Sequence, residues 1–218
     1  MSRPVIVVVG AGPGVSGSVA RRYAREGYDV GLLGIDPEEL AALGVDLEAL
    51  GANGQIAVVD ITDVDATTET IATMGENFGR IDVLHFNPSA FREKDPLELT
   101  VDELLDDLAL GVGALLTSVQ AARPFMGEGG RVTVTGSMAA DKPWNKAASL
   151  GIQKAGVRNL VHSIDTTLQD DGIRAVSVTV RGTLGKEGPF TPDRVAEVLW
   201  DAAHQLEADW QTEVPYAG

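Results

Sequence analysis

The sequence predicts an α/β fold: one doubly wound parallel sheet in three layers, α/β/α, forming a single domain over residues 1–218. Short apolar runs rich in valine recur along the chain, and tracts with helical spacing separate them. The first run, Val5–Val9, passes through glycines straight into a helical tract. Apolar strands that alternate with helices belong to a parallel sheet covered on both faces, because parallel neighbours need crossover connections.

Val5–Val9 is mostly β-branched and too short for a helix. Gly10, Gly12, Gly14 and Gly17 follow, and residues 18–26 place Val19, Ala20, Tyr23 and Ala24 at helical spacing. A strand turning through glycines into a helix is the opening of a dinucleotide-binding unit. The glycines let the backbone approach a pyrophosphate, and the helix N-terminus supplies free N–H groups and a positive dipole end. Asp29–Gly34 is the second strand, and residues 37–50 form a leucine-bearing helix broken at Gly44. Residues 55–59 form a third strand that ends at Asp60. Val64–Phe78 is a helix between an Asp63 cap and a Gly79 stop. The fourth strand, residues 81–86, runs into Asn87, Pro88 and Ser89. TVDE, from Thr100, has the form of a capping box and opens a helical tract to about Met126, with a break at Gly111 and Gly113. A fifth strand at 131–135, a helix at 147–170, a sixth strand at Arg174–Val180, a helix at 192–206 and a short strand at Glu213–Tyr216 complete the order. No repeat or linker interrupts it.

At 218 residues the chain can bury a full core, and 44% hydrophobic with 22% charged residues is the balance of a soluble globular protein. The absence of cysteine removes disulfides and thiolate metal sites, and three scattered histidines make no metal site. The lead-in MSRPVIVVVG is too short for a signal peptide and no apolar run reaches membrane-spanning length, so the expectation is a cytoplasmic protein with no membrane partner. A net charge of −15 and a pI near 4.5 argue against nucleic acid as a partner.

Taken in order, these motifs resemble those of the short-chain dehydrogenase/reductase family, with its Rossmann-type fold, over nearly the whole chain. Gly10-Ala11-Gly12-Pro13-Gly14-Val15-Ser16 is similar to that family's glycine turn, with Ser16 at the place of the last glycine. Ser137 in VTVTGSMAA matches its active-site serine. The resemblance implies an NAD- or NADP-dependent oxidoreductase acting on a small molecule. It implies cofactor contacts from Gly10, Gly12, Pro13, Gly14 and Val15, from Asp60 and Ile61 beside the adenine, from Asn87 after the fourth strand and from Gly182 after the sixth. It also implies that Lys154 holds the ribose. Pairing of two long helices into a homodimer or homotetramer is implied as well, through Leu115, Leu116, Val119, Ile152, Val157 and Leu160.

The chain departs from that pattern at the chemistry. The family sets a tyrosine one helical turn before its lysine, so that the lysine lowers the phenol's pKa. Here ASLGIQKAGVRN holds Lys154 with Leu150 before it, and Tyr23, Tyr28 and Tyr216 all lie elsewhere in sequence. Gly111 falls at the family's asparagine. After the second strand the chain has Gly34 and Ile35 where the family selects its cofactor; Asp36, two residues on, is placed to reach a ribose hydroxyl and to repel a 2′-phosphate, which favours NAD. The segment after Gly182 is too short for the usual substrate lid. Ser137 and Lys154 are either an acid–base pair of their own or inherited scaffold, Trp144, Asn145 and Lys146 are loop candidates for a substitute donor, and His85 reads as a structural histidine. Two functions follow: an oxidoreductase with another proton donor, or a non-catalytic relative that binds a nucleotide or only itself.

Overall fold

The computed structural model describes residues 3–218; residues 1 and 2 of the lead-in lie outside it. β1 (Val5–Val9), β2 (Asp29–Gly34), β3 (Gly54–Val58), β4 (Val83–Phe86), β5 (Arg131–Ser137), β6 (Arg174–Val180) and β7 (Glu213–Tyr216) form one sheet in the order β3-β2-β1-β4-β5-β6-β7. Every pairing is parallel. The order reverses between β1 and β4, so a crevice opens there at the carboxyl ends of the strands.

Helices α1 (Val15–Arg25), α2 (Pro37–Ala49) and α7 (Pro192–Ala203) cover one face, where Ile6, Val8, Leu32 and Val178 meet Val19, Leu40 and Leu199. Helices α3 (Val64–Phe78), α5 (Ala114–Ala122) and α6 (Ala148–Leu168) cover the other, where Val5, Val7, Leu84 and Val132 meet Ile71, Leu115 and Val161. β1 is therefore buried along its whole length, whereas the edge strand β3 alternates between half-buried and exposed positions. Each fully buried aliphatic side chain contributes about 1.5–3 kcal/mol. Asp36, Asp63 and Thr100 cap α2, α3 and α4 (Val101–Leu108), Thr100 with Glu103 as a capping box; each such cap is worth about 1 kcal/mol.

Three expectations change. α2 runs unbroken through Gly44, where a side chain would begin 2.7 Å from Ile56 Cδ1, so the glycine lets the helix sit close on β3. The break at Gly111 and Gly113 is a π-helical turn, Ala109–Gly113, so α4, the turn, α5 and a final 3₁₀ turn form one continuous tract. That tract, Val101–Phe125, reaches a mean hydropathy of 1.3 over 18 residues and so has the length and composition of a membrane span, which the sequence reading had not found. Its apolar side chains Leu115, Val119 and Ala122 lie in the core.

Candidate active site

The crevice at the order reversal has a volume of about 280 Å³ and is walled by Gly10 and Ala11 after β1, Gly34 and Ile35 at β2, Val59, Asp60 and Ile61 after β3, Pro88 after β4, and Leu110 of the π turn. Among the expected contacts, Gly10, Asp60 and Ile61 line it, while Gly12, Pro13, Gly14 and Val15 form the turn into α1. A side chain on Gly14 would meet nothing within 4 Å, so the space over the helix N-terminus is open. Val15 turns its side chain into the core and offers only backbone. Ser16 Oγ accepts from Gly12 N at 3.1 Å. A side chain on Gly17 would strike Gly12 O at 2.5 Å, so the close approach falls at Gly17 rather than at position 16.

The carboxylates around the crevice differ from expectation. At Gly34 a side chain would lie 2.6 Å from Ala11 O and 3.1 Å from Leu40 Cδ2, which is why no acid stands at the end of β2. Asp36 commits Oδ1 to the Glu38 and Glu39 amides as the α2 cap. Glu39, missed in sequence, brings Oε2 to 3.3 Å from where a Gly12 side chain would begin. Its only signal was an acid in the first turn of the helix after β2. Asp60 Oδ1 accepts from Thr62 N and Oγ1, and these bonds hold its carboxyl below the usual range.

At the neighbouring strand ends, Ser137 closes β5 and its Oγ accepts from Ala139 N at 3.2 Å. Lys154, buried on α6, donates from Nζ to Thr135 O at 2.9 Å, and burial pushes its pKa down to about 8. Leu150 stands half-buried one turn before it. None of the tyrosines compensates. Tyr23 and Tyr28 belong to an aromatic cluster with Trp200 on α7, and Tyr216 donates to Pro189 O.

Residues 4–185 match the model of the family described as short chain dehydrogenase. The chain belongs to the short-chain dehydrogenase family. It is similar to the oxidoreductase asL5 of Sarocladium schorii, 29% identical over 177 residues, which span 77% of this chain and 67% of that one. A short-chain dehydrogenase/reductase from Serratia marcescens superposes at TM-score 0.90 and 21% identity, covering 98% of this chain and 96% of that one. A metagenomic short-chain oxidoreductase solved in complex with NADP superposes at TM-score 0.88 and 24% identity, covering 99% and 97%.

Gly111 has a packing reason of its own. A side chain there would lie 2.3 Å from Gln153 Oε1. Gln153 is fully buried, accepts from Ala90 N at 2.8 Å and donates to Ala90 O at 3.2 Å. It clamps the loop after β4 to α6 and takes the room that Gly111 leaves. Asn87 in that loop donates its backbone N–H to Val9 O. Gly182 is covered: the Phe190 ring comes within 2.2 Å of where a side chain would begin, and packs edge-on against Tyr216. His85 is fully buried with Nδ1 2.9 Å from Thr133 Oγ1, and burial lowers its pKa to about 3, so it stays neutral as expected of a structural histidine. Trp144, Asn145 and Lys146 are exposed on the loop before α6. No group of metal-binding side chains occurs among the described residues.

Proposed function

We propose that residues 1–218 act as a single-domain, NAD-dependent oxidoreductase whose proton exchange does not use a tyrosine. The observation that carries this reading is the open glycine turn over the α1 N-terminus, beside a crevice at the sheet's order reversal and one strand from Ser137 and Lys154. The fit to a dinucleotide is good: helix-end amides for the pyrophosphate, and Glu39 and Asp60 within reach of the adenosine half. The NADP complex of the metagenomic neighbour supports the cofactor class. Glu39 stands by the turn, no lysine or arginine lines the crevice among the described residues, and Arg21, which approaches the turn at Gly17, is paired with Asp46; this favours NAD over NADP.

A bound nicotinamide supplies or takes the hydride. Ser137, whose Oγ already accepts from Ala139, keeps its O–H to donate to the substrate oxygen. Lys154 exchanges the proton, because burial brings it into the range where it is partly neutral near physiological pH. Asn87, in the loop after β4, borders the nicotinamide end, while Phe190 covers Gly182. A cytoplasmic location is part of the proposal. The second reading, a non-catalytic nucleotide binder, draws on Leu150 and on Gln153 filling the room at Gly111.

Titration with NADH and NADPH, followed by nicotinamide fluorescence, tests the proposal. NADH is expected to saturate the protein and NADPH to bind at least about tenfold more weakly, about 1.4 kcal/mol. Glu39→Gln narrows that gap. If neither cofactor binds, hydride transfer loses its support.

A homodimer or homotetramer through α5 and α6 is part of the proposal. Leu115 and Val157 face the core rather than a partner, but Leu116 and Ile152 remain 44% and 45% exposed, and Leu116, Val119 and Leu160 line an apolar groove of about 330 Å³ between the two helices. Sedimentation at micromolar concentration is expected to show an oligomer that Leu116→Glu weakens; a monomer in the parent protein counts directly against it.

A further inference from the structure

The seventeen Lys and Arg side chains are used unevenly. Ten form ion pairs with carboxylates, and Lys154 is buried. Six have no ion-pair partner among the described residues: Arg25, Lys142, Lys146, Arg181, Lys186 and Arg194. Four of these six lie on the two loops that leave the carboxyl ends of β5 and β6, residues 138–147 and 181–191. Arg194 adds a fifth in the first turn of α7, where the helix dipole disfavours a cation.

The placement runs against the rest of the surface. Acids outnumber bases 32 to 17, so a loop composed for solubility alone would be acidic. Here the two loops carry four cations against Asp141 and Glu187, and Asp141 is already taken by Arg158 of α6 at 2.6 Å. Arg158 holds the Asp141 carboxyl below its usual range, with Arg181 and Lys142 adding to the effect, so both loops act on one region. Ser137 lies in that region, since its register partner is Val180, directly before Arg181.

A second observation gives the rim its apolar side. Phe91, from the loop after β4, and Trp144, from the loop after β5, stack with ring centroids 6.2 Å apart and planes 23° from parallel, yet remain 63% and 47% exposed. Stacked aromatics left in water mark a surface that binds apolar matter. Aromatic faces also accept planar ligands.

We infer that the substrate is an organic acid with an apolar or aromatic body: a carbonyl or hydroxy acid whose anionic group is held by Lys146 and Arg181 while its body lies against Phe91 and Trp144. This rests on the oxidoreductase reading, since it places the reacting oxygen at Ser137. A short segment after Gly182 then suffices, because charge and aromatic contact at the rim do the orienting that a longer lid would do.

The test is calorimetric titration of the NADH-mixed protein with a panel of aromatic and aliphatic 2-oxo and 3-oxo acids, each beside its uncharged methyl ester, with NADH binding measured in the same samples. At least one acid is expected to bind about tenfold or more tightly than its ester at low salt, and the difference shrinks as ionic strength rises. The double variant Lys146→Ser/Arg181→Ser removes the preference, whereas Trp144→Ala weakens acid and ester alike. NADH binding with no acid preferred over its ester overturns this inference and leaves the oxidoreductase reading standing. An acid preference that survives the double variant also overturns it. Absence of both NADH and acid binding overturns the two together.

Discussion

Gly14→Asp is expected to lower NADH affinity at least about a hundredfold, about 2.7 kcal/mol, while the protein keeps its fold. The position is the N-cap of α1, with a negative φ of −78°, and a side chain there meets no protein atom within 4 Å. Aspartate is among the residues that cap helices best, so the native state has little to lose. Its carboxylate would occupy the space over the α1 amides that a pyrophosphate needs, and like charge in that position costs several kcal/mol more. The check is a fluorescence titration beside a thermal melt. An unchanged titration curve would show that the glycine turn is only structural. Gly17→Ala is the matching control: its side chain would strike Gly12 O at 2.5 Å, so it should lower the melting temperature first.

The contrast between Gly14 and Gly17 marks how far the sequence was legible. Elements whose ends carry local chemistry were read to the residue. α3 begins at its Asp63 cap and stops at Gly79, which takes the left-handed conformation with φ 78°. β1, β2, β6 and β7 likewise coincide with their apolar runs. Misreadings came where a residue answers to a distant one. Gly44 looked like a helix breaker because its partner, Ile56, lies on β3. Leu115 and Val157 looked like interface residues because an apolar stripe does not reveal which flank meets the sheet. In the candidate site, Ser137 and Lys154 were singled out from motif order, and the structure places them at the end of β5 and on α6. Gln153 was not, since its role is set by Gly111 and Ala90, neither of which adjoins it in sequence. Phe190 over Gly182 and Glu39 over Gly12 were hidden for the same reason.

Restoring the two family positions one at a time should fail, for different reasons. Leu150→Tyr is expected to fold and to add little to whatever carbonyl reduction the parent protein shows. A single acid–base group contributes about 10²- to 10⁴-fold, and where Lys154 already exchanges the proton a tyrosine one turn before it duplicates that contribution instead of adding to it. NADH oxidation with a panel of ketones, aldehydes and oxo acids is the measurement; a rise of about a thousandfold from this change alone would mean that only the tyrosine had been lost. Gly111→Asn is expected to cost stability instead, about 3 kcal/mol. Its side chain would begin 2.3 Å from Gln153 Oε1, inside a fully buried contact, and pushing Gln153 aside would also break both bonds to Ala90. A buried amide left without its partner adds about 1–3 kcal/mol to the steric cost. Thermal melts of Gly111→Asn, Gln153→Ala and the double variant separate the terms. Gln153→Ala makes room but unties the loop after β4, so the double variant should recover part of the loss and never reach the parent. If Gly111→Asn alone melts with the parent, the π turn at Ala109–Gly113 yields more easily than its packing suggests, and Gln153 is not the reason a glycine stands there.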